Sequence, residues 1–213
     1  MSRMTLVLLA ALAVAAAVFT FARVVRAVEQ ALYQVELSDG AYELRSYPPR
    51  VVAEMSLEGS FEDVGNDAFR PLAAYIGGEN RSRMSIAMTA PVTQESSSES
   101  IAMTAPVTQE GDGSYYRVCF VMPASRALET LPEPKDPRVS LRAEPARTLA
   151  AIRYRGTWTE SRYRENLERL RAWISAQGLV PSGAPPVWAR YDPPFMPWFL
   201  RRNEVLIEVK PAR

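Results

Sequence analysis

No histidine occurs anywhere in the 213-residue chain. Acid–base catalysis at neutral pH most often uses that side chain, and metal and haem-iron sites use it too. Its absence removes the ordinary general base and excludes imidazole as an axial iron ligand. Cysteine is nearly as scarce. Cys119 stands alone, so no internal disulfide and no zinc cluster of the thiolate kind can be assembled. Its setting, Val118-Cys119-Phe120-Val121-Met122, reads as a buried strand with a structural thiol. No nucleophile stands beside an evident base and the acids are scattered, so an enzyme is not expected. Lysine is almost missing as well; Lys135 and Lys210 are the only two, and the other basic residues are arginine.

Residues 4–22 carry no charge at all. As a helix these nineteen residues would span roughly 28 Å, close to the hydrocarbon thickness of a bilayer. Two readings stay open for residues 1–27: an uncleaved membrane anchor, or a secretory signal with Val25-Arg26-Ala27 at its cleavage site. Both place the folded part, residues 28–213, outside the cytoplasm. Leaving out residues 1–27 takes three arginines from the 25 basic residues, and 22 then face 24 acidic ones. That balance offers no basic footprint for nucleic acid.

What is present is a repeat. SIAMTAPVTQE occurs at residues 85–95 and again, identically, at residues 100–110, separated by a four-residue polar linker. Each copy contains a proline, Pro91 and Pro106, and proline favours sheet edges, so an edge hairpin is expected. The rest reads as two halves built alike. In each, a strand (residues 51–57; 148–154) runs through a glycine into a helix. Ser60 with Asp63, and Thr157 with Glu160, stand at capping-box spacing. Gly77-Gly78 and Gly178 mark the helix stops. Tyr163, Leu167, Leu170 and Ile174 form one apolar stripe, and Val64, Ala68, Leu72 and Tyr75 form a similar one interrupted by Pro71, which should kink or split its helix. Further strand signals lie at residues 33–37, 42–47, 115–122, 139–143, 187–191 and 204–210. The fold class is α+β with a largely antiparallel sheet.

Phrases spread over residues 33–209 carry a resemblance: FRPLAAYIGGEN, IAMTAPVTQ, FVMP, LETLPEPKDPRV and YDPPFMPWFLRRNEV, in that order. Together they resemble the SOUL family of haem-binding proteins. The resemblance implies a distorted β-barrel of two four-stranded antiparallel sheets, flanked by two helices, with halves related by a pseudo-twofold. It also implies a haem or tetrapyrrole ligand on an apolar surface near the first helix, in some members with a histidine on the iron. That histidine is missing here, and basic residues that meet the propionates in animal members are replaced by Asn66, Phe69, Leu72 and Ala74 on the helix and by Phe195 and Met196 in the YDPP segment.

A haem still needs a flat apolar wall, a cation at its rim and, optionally, an iron ligand. For the wall the candidates are Phe69, Leu72, Tyr75, Tyr191, Phe195, Met196 and Trp198. For the rim they are Arg201 and Arg202, with Arg190, Arg81 and Arg83, because the guanidinium fork suits carboxylates. For iron the remaining atoms are the thioethers of Met84, Met88, Met103 and Met196 or the phenolates of Tyr75 and Tyr191. Phe195, Met196, Trp198 and Phe199 sit among three prolines, where they either plug the barrel end or form an exposed patch for ligand, partner or membrane. The expected function is a non-catalytic tetrapyrrole carrier, buffer or sensor. The alternative is a module for another amphipathic molecule or a protein partner, without haem.

Overall fold

The computed structural model describes residues 29–82, 98–112 and 115–210. The uncharged run, the first copy of the repeat, Met84 and Met88 lie outside these residues. In chain order the elements are β1 (Glu29–Gln30), β2 (Gln34–Asp39), β3 (Tyr42–Tyr47), β4 (Arg50–Glu58), α1 (Asp63–Ile76), β5 (Asn80–Arg81), β6 (Thr104–Asp112), β7 (Tyr115–Val121), β8 (Glu133–Pro134), β9 (Ser140–Glu144), β10 (Arg147–Arg155), α2 (Glu160–Ala176), β11 (Val187–Arg190) and β12 (Arg202–Glu208). Among the described residues no helix is long and apolar enough to cross a membrane.

The strand order is β2-β3-β10-β12-β11-β6-β7-β4-β9. Its eight strands from β3 to β9 form a palindrome: β4, α1, β6 and β7 of the first half match β10, α2, β11 and β12 of the second. The outer members are exchanged, so that β3 lies beside β10 and β9 beside β4. The two four-strand sets expected from the sequence are therefore present as one sheet, not two. Antiparallel pairing of Val187 with Glu110 through Arg190 with Val107 closes the gap between them. The sheet curls into a half-barrel with both helices on one side.

Local chemistry accounts for most helix boundaries. Ser60 Oγ accepts from the Asp63 amide at 3.2 Å and donates to the Asp63 carboxylate at 2.6 Å. This is half of the expected capping box, since the carboxylate takes the hydroxyl and not the Ser60 N–H, and the helix begins only after Glu62. Thr157 does not cap α2. The amide at Glu160 is met instead by the Glu62 carboxylate, reaching across from the other half at 3.3 Å. Gly178 takes the left-handed stop at φ +67°. Helix α1 runs unbroken through Pro71. The carbonyl that proline leaves without a donor belongs to Asp67, which is exposed, so water can satisfy it and no split is required.

The stripe of α1 packs Ala68, Leu72 and Tyr75 against Ala53, Met55, Val118 and Phe120. That of α2 packs Tyr163, Leu167, Leu170 and Ile174 against Ala150, Ile152, Val205 and Ile207. The opposite face of the sheet holds Leu149, Ala151, Val187, Ala189 and Leu206 beside a cluster of buried charge. Cys119 is buried on that face, and burial pushes its thiol up. The second copy of the repeat forms β6, a central strand between β11 and β7, where an edge hairpin was expected. A register shift between Thr104 and Val107 takes Pro106, which has no N–H to donate, out of the ladder.

Candidate functional site

A cavity of about 310 Å³ opens between α1 and the connection from β11 to β12. Phe69 from α1 forms one wall, resting on the core ring of Phe120 with centroids 5.3 Å apart. Met103, Ala105 and Val107 of the repeated phrase form the floor, and Tyr191, the two prolines and Phe195 of the YDPP segment form the far wall. Phe69 is 38% exposed and Phe195 is 70% exposed.

The cavity's cation is Arg190. Its guanidinium lies 4.0 Å from the centroid of Trp188 and 5.1 Å from that of Trp158. One N–H reaches Gln109 Oε1 at 3.4 Å, and Gln109 is itself held by donating to the Phe61 carbonyl at 3.0 Å. Among the described residues Arg190 forms no ion pair. Burial pushes its pKa down to about 10, so it stays charged at neutral pH in a place where charge is poorly solvated. A cation withdrawn from water is costly unless paired, and although Arg190 is only half-buried, rings with one long hydrogen bond offset only part of that cost. Gly65 makes the seat: a Cβ there would stand 2.7 Å from Arg190 Nη2. Trp158 is fixed by its indole N–H on Asn203 Oδ1 at 2.8 Å and carries Arg201 on its ring at 4.3 Å.

The candidate residues from the sequence divide sharply. Phe69, Tyr191 and Phe195 are brought together at the cavity. Leu72 and Tyr75 are core residues of α1, not wall; the Tyr75 hydroxyl donates to the Pro132 carbonyl at 3.0 Å. Met196 is buried beneath the bend, whereas Trp198 and Phe199 stand exposed outside the lining. Arg201 is spent on the carbonyls of Met196 and Pro194, at 2.8 and 2.5 Å, and so staples the bend. Arg202 bonds Glu204 at 2.8 Å and Gln30 at 3.1 Å. Neither points into the cavity's lining. Arg81 lies in β5, away from it, and Arg83 falls outside the described residues.

As iron ligands, the two phenols do not fit. Tyr75 has its partner in the core. Tyr191 donates to Glu204 Oε2 at 2.8 Å, and burial together with the Glu204 charge raises it well above its ordinary value. Met103 is the thioether in the lining. Among the described residues no three-acid or thiol cluster can hold a bare metal ion. The wall and cation therefore fit an apolar disc bearing a carboxylate; strong coordination of iron does not follow from this donor set. Gly65 and Trp158 were not singled out from the sequence. A glycine inside the first turn of an amphipathic helix is the signal that points to Gly65, because it marks close approach by another group.

The family model for the SOUL haem-binding protein matches residues 28–208. No curated protein matches the chain significantly. Among solved structures, the C-terminal domain of EcmrR is 15% identical, with 85% of this chain and 99% of that one covered at a TM-score of 0.52. A hydrolase from Listeria innocua is 11% identical, with 82% and 94% covered at a TM-score of 0.58. At such identities the likeness concerns the fold alone.

Proposed function

The chain belongs to the SOUL haem-binding family, and from that premise we propose that it binds haem or a related tetrapyrrole without catalysing a reaction, as a carrier, buffer or sensor. The observation that carries this reading is Arg190, a cation in a mainly apolar cavity that forms no ion pair among the described residues; the acid of the lining, Asp192, accepts from the Arg202 amide instead. A tetrapyrrole propionate would supply the missing charge, in the bidentate geometry a guanidinium favours. The disc would rest on Phe69, Met103 and Phe195. A cavity of about 310 Å³ lies at the small end of ligand sites, which run from roughly 300 to 1,000 Å³. The ring would thus seat one edge and leave the other over the exposed Phe195. Bound haem would bring iron redox chemistry; the chain's own residues bind the edge, pair the carboxylate and exclude water.

Titrating haem into the full chain while following the Soret band tests this. A saturable micromolar shift is expected, weakened in Arg190→Met; no saturable shift ends the reading. A second reading, an amphipathic carboxylate with no metal, is favoured by the engaged hydroxyls of Tyr75 and Tyr191. Metal-free protoporphyrin separates the two, since binding as tight as that of haem would show that iron contributes nothing.

A further inference from the structure

The connection between β11 and β12 presents more apolar surface than the cavity uses. Phe195, Trp198, Phe199 and Leu200 are all exposed, the two aromatics Trp198 and Phe199 packed edge to face at 5.6 Å. Residues 193–200 contain no ionisable side chain. The shelf they make is held firmly from behind by Arg201 on two of its carbonyls and by Asp192, whose carboxylate accepts from the Arg202 amide at 2.5 Å. Arg155 borders it through the Leu200 carbonyl at 3.1 Å. Four large apolar side chains fixed outward with a basic border are not a barrel plug.

The place where the chain enters the fold says what covers this shelf. β1 pairs in parallel with Thr104 and Ala105. The other edge of Thr104 is taken by Val121, so β1 lies on the edge that β11 occupies further along. Gln30 accepts from Arg202 Nη1 at 3.1 Å. The N-terminal strand thus meets the fold at the foot of the aromatic bend. Only six residues, 23–28, separate it from the end of the nineteen-residue uncharged run, a tether of at most about 20 Å.

We propose that residues 193–200 are a membrane-docking shelf, which seats the domain on a phospholipid bilayer, the surface to which the uncharged run would hold it if retained as an anchor. Tryptophan and phenylalanine with arginine at the border is the composition of an interfacial anchor: the rings sit at headgroup depth and the exposed Arg155 guanidinium meets anionic lipid. Phe195 belongs to both shelf and cavity, so the lipid surface and the cavity share a wall. The shelf does not depend on what the cavity binds.

The full chain in vesicles of phosphatidylcholine and phosphatidylglycerol, with and without brominated acyl chains, tests the proposal. Trp173 and Trp188 are buried and Trp158 is partly so, leaving Trp198 as the exposed indole. Brominated lipid should quench part of the emission, and Trp198→Phe should abolish that part while leaving the unfolding midpoint unchanged. A Phe195→Glu, Phe199→Glu chain, still tethered by its N-terminal run, should lose the same quenching with Trp198 in place. Equal bromine quenching in wild type and Trp198→Phe, or none in either, overturns the proposal. So does Trp198 shielding that follows protein density and ignores bromination, which would assign the shelf to a second copy of the chain.

Discussion

Arg45 and Arg190 are guanidiniums of one sheet, the first buried and the second half-buried beside the cavity, and they face opposite sides and live by opposite rules. Arg45, 1% exposed, is fully supplied. It bonds both oxygens of Glu204 at 2.6 and 3.0 Å, Glu43 at 2.7 Å and the Tyr47 hydroxyl at 3.2 Å, with the Tyr33 ring over it at 4.4 Å. Burial alone would raise Glu204, but the hydrogen bonds and charge of Arg45, with Arg202, hold it well below the usual carboxylate range. Arg190 has rings, one amide and space. The first cluster is closed and holds strands β3, β10 and β12 in register. The second is open, and a partner that is not part of the described chain would complete it. Charge burial as such does not distinguish structure from site; the state of the partner does.

The largest break in this comparison comes from removing one side of the closed cluster. Arg45→Met leaves Glu204 buried without its main partner and should cost about 3–5 kcal/mol, read as a lowered urea midpoint at unchanged slope. Arg190→Met should do the reverse. Replacing an unpaired, half-buried cation by an apolar side chain should leave stability level or raise it, while tetrapyrrole affinity falls about tenfold or more, the worth of a hydrogen bond to a charged group. Loss of folding in Arg190→Met would show the two arginines to be alike.

Acid sharpens the contrast. A carboxyl whose folded pKa is depressed contributes stability that is present above its unfolded value and lost as pH falls through the folded one. Glu204 should therefore make the domain lose stability progressively below about pH 4.5. In Glu204→Gln, already weakened at neutral pH, that acid limb should flatten.

Smaller effects probe the seat. Gly65→Ala, in the first turn of α1, should gain part of the ~1 kcal/mol of helix propensity seen in helix interiors, while its Cβ displaces the Arg190 guanidinium. Higher melting with weaker ligand binding is the expected pair of results. Phe195→Ser, at a side chain that is mostly exposed, should leave the melting temperature alone and weaken ligand binding by less than Arg190→Met does.

Much of the fold is legible in the amino-acid sequence. Strands and helices announce themselves through alternation, through the stripes of α1 and α2, and through Ser60 and the glycine stops, because these depend on neighbours a few residues away. Pro71 misleads because a proline's cost depends on what its orphaned carbonyl faces, and Asp67 faces water. Pro106 misleads because a bulge, which involves β7 as well as β6, removes it from the ladder of a central strand. The aromatic residues of α1 and the YDPP segment name the right neighbourhood for the site, but not which of them are core.

By itself the sequence determined the α+β class, the two like halves, the exclusion of histidine chemistry and the uncharged N-terminal run; each follows from composition or from local periodicity. Only the tertiary structure decided that the halves fuse through β6 and β11 into one sheet, that Arg201 and Arg202 serve the backbone and Glu204, and that Arg190 stands in the cavity. The reason is physical: whether a buried arginine is satisfied depends on carboxylates more than a hundred residues away, as Glu204 is from Arg45, and no local pattern records that distance.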